Sequence, residues 1–186
     1  MFQIGETLTA LEAGKIILYP TDTVWGIGCD ATNAEAVDRV LALKDRERGK
    51  GLICLVDSLE MLLTYVDFVH PRLQTLLAHH QRPLTMIYPN ADGLAGGVYA
   101  ADGSAALRIT SDPYCKSLIG SFGRPIVSTS ANKRGEPHAS SFGTVSSDVI
   151  TQVDHVVRYR QRERSEAEPS VIARWNDNNE IEPLRQ

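Results

Sequence analysis

Apolar positions along this chain fall into short runs, some at helical spacing and some continuous over strand length, separated by polar and glycine-containing stretches. Leu8, Leu11 and Ala13 share one helical face, so Glu6 to Ala13 reads as a short helix that Gly14 stops. Lys15 to Tyr19 reads as a buried-type strand, apolar from Ile16 and ended by Pro20. Thr21 to Asp30 follows as a polar, glycine-containing connection. Ala36, Val37, Val40, Leu41 and Leu43 then predict a helix over Asn33 to Leu43, with Thr32 and Glu35 spaced as a capping box in front of it. Leu52 to Val56 reads as a strand, Ser58 as the cap of a helix to Tyr65, and Pro71 as the first residue of a helix to about His79. Strands over Leu84 to Tyr88 and Ala105 to Ile109 flank a glycine-rich loop, Ala91 to Gly103. Asp112-Pro113 opens a helix that Gly123 closes.

The next stretch, Pro125 to Asn132, is a two-residue apolar strand, Ile126-Val127, that runs into Ser128-Thr129-Ser130-Ala131-Asn132. Small hydroxyls and an amide cannot fill a core, but at the carboxyl end of a strand they face the place where open α/β sheets bind ligands. A Ser/Thr-rich turn capping the next element accounts for the same residues on their own. A helix near Val145 to Val153, a charged loop from Arg158 to Glu168, and strands over Ser170 to Ala173 and Glu180 to Leu184 complete the chain. Helices and strands alternate early and strands gather late, which predicts an α/β (α+β mixed) fold with helices flanking a mixed sheet.

At 186 residues the chain suits one domain over residues 1–186, with residues 158–169 as a mobile flap. Its net charge of −4 argues against a protein that binds nucleic acid over its whole surface, while leaving room for a local basic cleft. Cys29, Cys54 and Cys115 are far apart and Cys54 sits in an apolar run, as free thiols do in a reducing cytosol. No basic-then-apolar leader and no run of membrane-spanning length is visible, so a cytoplasmic protein without membrane contact is expected.

Two charged features stand out. Lys44 to Lys50 places four cations in seven residues. That suits either a solvated helix end or a clamp for polyphosphate, with Gly49 and Gly51 allowing close approach. Arg108 ends an apolar strand and needs an anion, which an internal aspartate or a ligand carboxylate can supply. Other patterns fail. Gly26 to Ala31 matches the dinucleotide fingerprint but begins seven residues after Tyr19. Ser130-Ala131-Asn132-Lys133 lacks the companion motifs of S-x-x-K enzymes, and the five histidines show no metal spacing. What remains is cations, hydroxyls, an amide and Asp22, without a nucleophile–base pair or a protein metal cage. Phosphoryl and nucleotidyl transfer use such a set, because positioning and charge neutralisation dominate, and Mg2+ can be carried by the substrate phosphates.

Taken together, Tyr19-Pro20-Thr21-Asp22-Thr23-Val24-Trp25-Gly26-Ile27-Gly28, Lys44-Asp45-Arg46, Arg108, Ser128-Thr129-Ser130-Ala131-Asn132 and Pro169-Ser170 resemble the YrdC family, in the same order and over nearly the whole chain. The resemblance implies a twisted sheet around a large concave basic cavity, and threonylcarbamoyl-adenylate synthesis from L-threonine, bicarbonate (or CO2) and ATP for the t6A modification of tRNA. It implies Lys44 and Arg46 as the catalytic phosphate clamp, with Lys50, Ser104, Ser130, Asn132 and Arg185 also toward ATP. Thr21, Thr23, Arg108, Ser128 and Ser170 would face threonine, and Mg2+ would arrive with ATP. The product's receiver would be tRNA or a threonylcarbamoyl-transferase complex. Glu47 and Gly51 stand where the family often has proline, Gln81-Arg82-Pro83 replaces a Trp-Pro-Gly stretch, and Val171 replaces a smaller residue. Two other readings stay open: a non-enzymatic paralogue that binds tRNA or double-stranded RNA in the same cavity, and an enzyme of another carbamoyl or acyl adenylate.

Overall fold

The computed structural model describes residues 2–133, 135–164, 168–176 and 180–185, the last without its side chain. The helices are α1 (Gly5–Glu12), α2 (Ala34–Leu43), α3 (Leu59–Leu62), α4 (Pro71–His79), α5 (Pro113–Phe122) and α6 (Ser147–Gln152). The strands are β1 (Ile17–Tyr19), β2 (Gly26–Gly28), β3 (Ile53–Val56), β4 (Leu84–Tyr88), β5 (Ala105–Ile109), β6 (Ile126–Val127), β7 (Thr129–Ser130), β8 (His155–Val156), β9 (Val171–Trp175) and β10 (Ile181–Arg185). The mixed α/β class holds. The strands form two mixed sheets, however: one ordered β7-β2-β1-β8, the other β10-β9-β4-β5-β3-β6.

The division follows from β1, which is buried on both faces and sends alternate residues into two cores. Ile17 and Tyr19 pack with Leu118 and Ile119 of α5 and Leu11 of α1. Ile16 and Leu18 join a larger core with Val37 and Val40 of α2 and Leu107 of β5. β3 divides the same way, with Leu55 in the first core and Cys54 and Val56 in the second.

β2 lies inside the stretch that the sequence gives as a connection. Its glycines have low strand propensity, and contact alone explains the strand. A Cβ on Gly28 would sit 2.3 Å from the Val127 carbonyl oxygen and 2.7 Å from the Tyr19 ring, so only glycine lets β2 pair between β1 and the residues around Val127. Two caps are also informative. Asn33, not Thr32, caps α2, its side chain accepting from the Ala36 N–H. Thr32 is diverted to Asp30, whose Oδ1 accepts its N–H and its hydroxyl at 2.9 and 2.7 Å. α5 is bounded as the sequence predicts, with Asp112 accepting from the Cys115 N–H and Gly123 at φ +71°.

The chain changes sheets between Val127 and Thr129. The Ser128 N–H donates to Ile53 O of β3, while Ala131 N–H donates to Trp25 O beside β2. Ser128 and Ser130 are therefore held between both sheets by backbone pairing. In the expected flap, Tyr159 stacks on Tyr114 with centroids 4.9 Å apart, and Arg160 donates to Thr21 O and the Asp112 carboxylate, each at 3.1 Å. Residues 165–167 of that segment lie outside the described residues. Among the described residues no helix is long and apolar enough to cross a membrane.

Candidate functional site with two lobes

The loops that follow β1 and α2, the β6–β7 crossover and the residues that open β5 and β9 converge on two adjoining hollows. The first, of about 250 Å³, is lined by Thr23, Ser104, Arg108, Ser128 and Ser170 with the apolar side chains Ile87, Ala106 and Ile172. The second, of about 330 Å³, is lined by Lys44, Asp45, Asn132 and Lys133, Asp45 being its one carboxylate. Arg46, Lys50, Thr129 and Ser130 wall both, so the two are lobes of one depression. Lys44, Arg108 and Ser130, scattered in sequence, thus share one site.

In the first lobe Arg108 finds its anion inside the protein. Its Nη2 lies 3.1 Å from Asp22 Oδ1, with the two side chains 3% and 5% exposed. A chain of hydroxyls runs back from it. Thr21 spends its proton on Val24 O at 2.8 Å, so in its 2.9 Å contact with Thr23 it accepts. Thr23 Oγ1 in turn accepts from Arg108 Nη2 at 3.4 Å. Thr23 therefore offers a ligand a lone pair rather than a proton. Thr21 reaches neither lobe; it is spent orienting Thr23, and the resemblance-based placement of Thr21 against a ligand does not match this geometry. The Ser104 hydroxyl donates to Asp102 Oδ1 at 2.7 Å, and this bond with the Ser104 N–H bond holds the Asp102 carboxyl below its usual range. Ser104 belongs to the Arg108 lobe rather than to the cationic one. The Ser170 hydroxyl pairs with buried Thr85 at 2.8 Å.

The second lobe is cationic. Lys44 Nζ donates to the carbonyls of Ser130, at 2.7 Å, and Asn132. Burial, and then the charge of Arg46, push its pKa down to about 8, against the opposing pull of Glu136. Arg46 donates to the carbonyls of Lys50 and Gly51, both at 2.7 Å. That arrangement depends on a left-handed backbone at Gly51, φ +63°, which a proline ring forbids. Gly51 therefore gives this loop a path of its own. Glu47 pairs with Lys50 at 2.9 Å on the surface, and Arg48 turns away to Asp38. The Asn132 amide donates to Glu136 O at 2.6 Å, while its Oδ1 is buried without a hydrogen-bond partner among the described residues. Lys133 pairs with Asp148. The Arg185 side chain lies outside the described residues.

Sequence reasoning assigned no role to Thr129, which walls both lobes, or to His138 at the exposed rim of the first. Thr129 was legible as part of its motif; nothing in the sequence singles out His138. Asp22 stood among the candidates without a role, and its pairing with Arg108, far along the chain on β5, left no local signal. Among the described residues no three His, Cys, Asp or Glu side chains gather as a metal ion would require. The site can thus hold one small polar ligand beside a polyanion, and neutralise charge that develops between them.

Residues 9–186 match the Sua5/yciO/yrdC family model, whose description is telomere recombination. The chain is 39% identical over 140 residues to a threonylcarbamoyl-AMP synthase of Vibrio campbellii, covering 74% of this chain and 76% of that one. Among solved structures it superposes with TM-score 0.80 on P. abyssi Sua5 complexed with L-threonine, at 24% identity, covering 92% of this chain and 50% of the other. It superposes on E. coli YciO with TM-score 0.79 at 20% identity, over 98% and 90% of the two chains. The chain spans about half the length of the P. abyssi protein.

Proposed function

The chain belongs to the Sua5/yciO/yrdC family, and from that membership and the two-lobed site we propose that it is a threonylcarbamoyl-AMP synthase. The observation that carries the proposal is the junction: a hydroxyl-lined lobe containing the charge-paired Arg108 opens past Thr129 and Ser130, along the shared Arg46 and Lys50, onto a lobe with Lys44. An amino acid in the first and a triphosphate in the second bring an amine-derived carbamate to an α-phosphorus at that junction. The threonine nitrogen bonds to the carbon of CO2 and loses a proton. A carbamate oxygen then bonds to the α-phosphorus as the bond to the β-phosphate oxygen breaks, giving threonylcarbamoyl-AMP and pyrophosphate.

Each group has a task in this reading. Arg108 holds the threonine carboxylate, and the Thr23 lone pair takes an N–H or O–H of the ligand. Ser128 and Ser170 close the same lobe. Lys44 and Arg46, aided by Lys50, offset the charge that builds on departing pyrophosphate, the step at which fixed cations contribute most. ATP enters as its magnesium complex, the ion carried by phosphate oxygens and water. Ser130 and Asn132 serve the nucleotide, and Ser104 belongs to the lobe that takes the amino acid. The product passes to tRNA or to a threonylcarbamoyl-transferase complex, in the cytoplasm. Pyrophosphate release from MgATP, measured with threonine or bicarbonate omitted in turn and with other amino acids in place of threonine, tests the proposal. Release indifferent to threonine refutes it.

A further inference from the structure

The Asp22–Arg108 pair is buried but incompletely bonded. Nη2 and Oδ1 are 3.1 Å apart, yet Arg108 Nε and Asp22 Oδ1 both lack a hydrogen-bond partner among the described residues. Asp22 thus cancels the charge of Arg108 without using its full set of donors. A two-point bond between them would use adjacent guanidinium N–H groups in parallel. Asp22 is kept from that geometry by its other oxygen, Oδ2, which accepts the Ser111 N–H at 2.8 Å and the Ser111 hydroxyl at 3.2 Å. Ser111 lies three residues past Arg108, just beyond the end of β5, so one strand end fixes both partners. Asp22 itself lines neither lobe; it stands behind Arg108, which does line the first.

We propose that Asp22 is the positioning residue that sets the carboxylate selectivity of Arg108. It holds the guanidinium in place with its charge compensated, and leaves the part of Arg108 that lines the first lobe for a carboxylate that the rest of the lobe has already positioned. The inference rests on the reading of Arg108 as the group that takes the substrate carboxylate. A bare buried cation would take up any small anion, because an uncompensated charge in that setting is strongly unfavourable. With Asp22 behind it, Arg108 rewards only an anion attached to a body that also bonds Thr23 and Ser128. Asp22 thereby trades raw anion affinity for selectivity toward an amino acid.

The test is Asp22→Asn, alone and with Arg108→Met, in the full chain. Asparagine keeps the shape and can still accept the Ser111 N–H, while the charge is lost. In chloride-containing buffer, where the ion competes for the uncompensated Arg108, the expected result is a threonine KM raised about tenfold, with kcat and the ATP KM within about twofold of the parent protein. Chloride should raise that KM further and should increase the melting temperature of the variant without threonine, neither of which it does in the parent or in the double variant. An unchanged threonine KM, or a melting temperature that ignores chloride, overturns the inference. Should Asp22→Asn fail to fold while the double variant folds, Asp22 serves only to compensate Arg108 in the fold and the inference of selectivity falls. Should both fail, Asp22 is structural only and the inference falls. Parent protein that releases pyrophosphate without threonine removes the functional reading instead, and the chloride measurement still reports on the pair.

Discussion

Lys44 offers the sharpest quantitative prediction, because its depressed pKa and its place in the cationic lobe make nucleotide binding depend on pH. Its ordinary pKa of 10.5 is lowered to about 8 by burial and by Arg46. Bound phosphates add negative charge beside the ammonium and raise the value again, so binding takes up a proton wherever the free protein has lost it. The sign follows: ATP affinity is fully present well below pH 8 and falls as pH rises through that value, until the pKa of the bound state is reached. The charged fraction of Lys44 drops from about 0.9 at about pH 7 to about 0.1 at about pH 9, so the ATP KM should rise up to about tenfold across that window. The assay is pyrophosphate release at saturating threonine from about pH 6.5 to about pH 9.5, for the parent protein and for Lys44→Met. The variant should show a high ATP KM that does not vary with pH through this step. A parent KM that stays level past pH 9, or a variant that shows the same rise, would refute the assignment.

Two further substitutions probe the frame and the clamp. Gly28→Ala should cost about 1–3 kcal/mol in chemical unfolding, because the new Cβ meets backbone, the Val127 carbonyl at 2.3 Å, which cannot swing aside; a cost under about 0.5 kcal/mol would show that β2 has room to move. Gly51→Pro should lower kcat/KM for ATP about tenfold or more with little change in melting temperature, since the loop loses its left-handed turn and Arg46 loses two carbonyl partners; unchanged kinetics would show that Arg46 does not need that turn.

How far the sequence reveals the fold depends on where its signals are local. β4 and β5 have the predicted bounds, because both faces of each strand are largely buried and the apolar run is continuous. α5 is equally legible, its two ends written in Asp112-Pro113 and Gly123. β2, β7 and β8 are two or three residues long and rich in glycine or polar residues, and they become strands through partners far along the chain. The second sheet was therefore hidden. α2 shows how two adjacent polar residues compete: Arg124 bonds Asp30 at 2.6 Å, and Asp30 captures Thr32, leaving the cap to Asn33.

The candidate site was legible at the level of which segments meet. Arg108, Ser128, Ser130 and Ser170 line the first lobe, Lys44 and Asn132 the second, with Arg46 and Lys50 between them. What the sequence could not supply is which polar groups already have partners. Thr21 carries the same hydroxyl as Thr23, but its proton is committed to Val24 O and it lies behind its neighbour. For Arg108 the sequence allowed either an internal aspartate or a ligand carboxylate; Asp22 provides the charge, while Arg108 still lines the first lobe, where a ligand can meet it.

The central claim is that an amino acid and a triphosphate lie side by side across the Thr129–Ser130 junction. A crystal structure of the protein with L-threonine and an ATP analogue whose α–β bridge is a methylene, so that it cannot be cleaved, tests this most directly. The threonine carboxylate should lie on Arg108, the β- and γ-phosphates on Lys44 and Arg46, and the α-phosphorus nearest Ser130. Phosphates seated on Arg108, or threonine bound outside the Arg108 lobe, would contradict it.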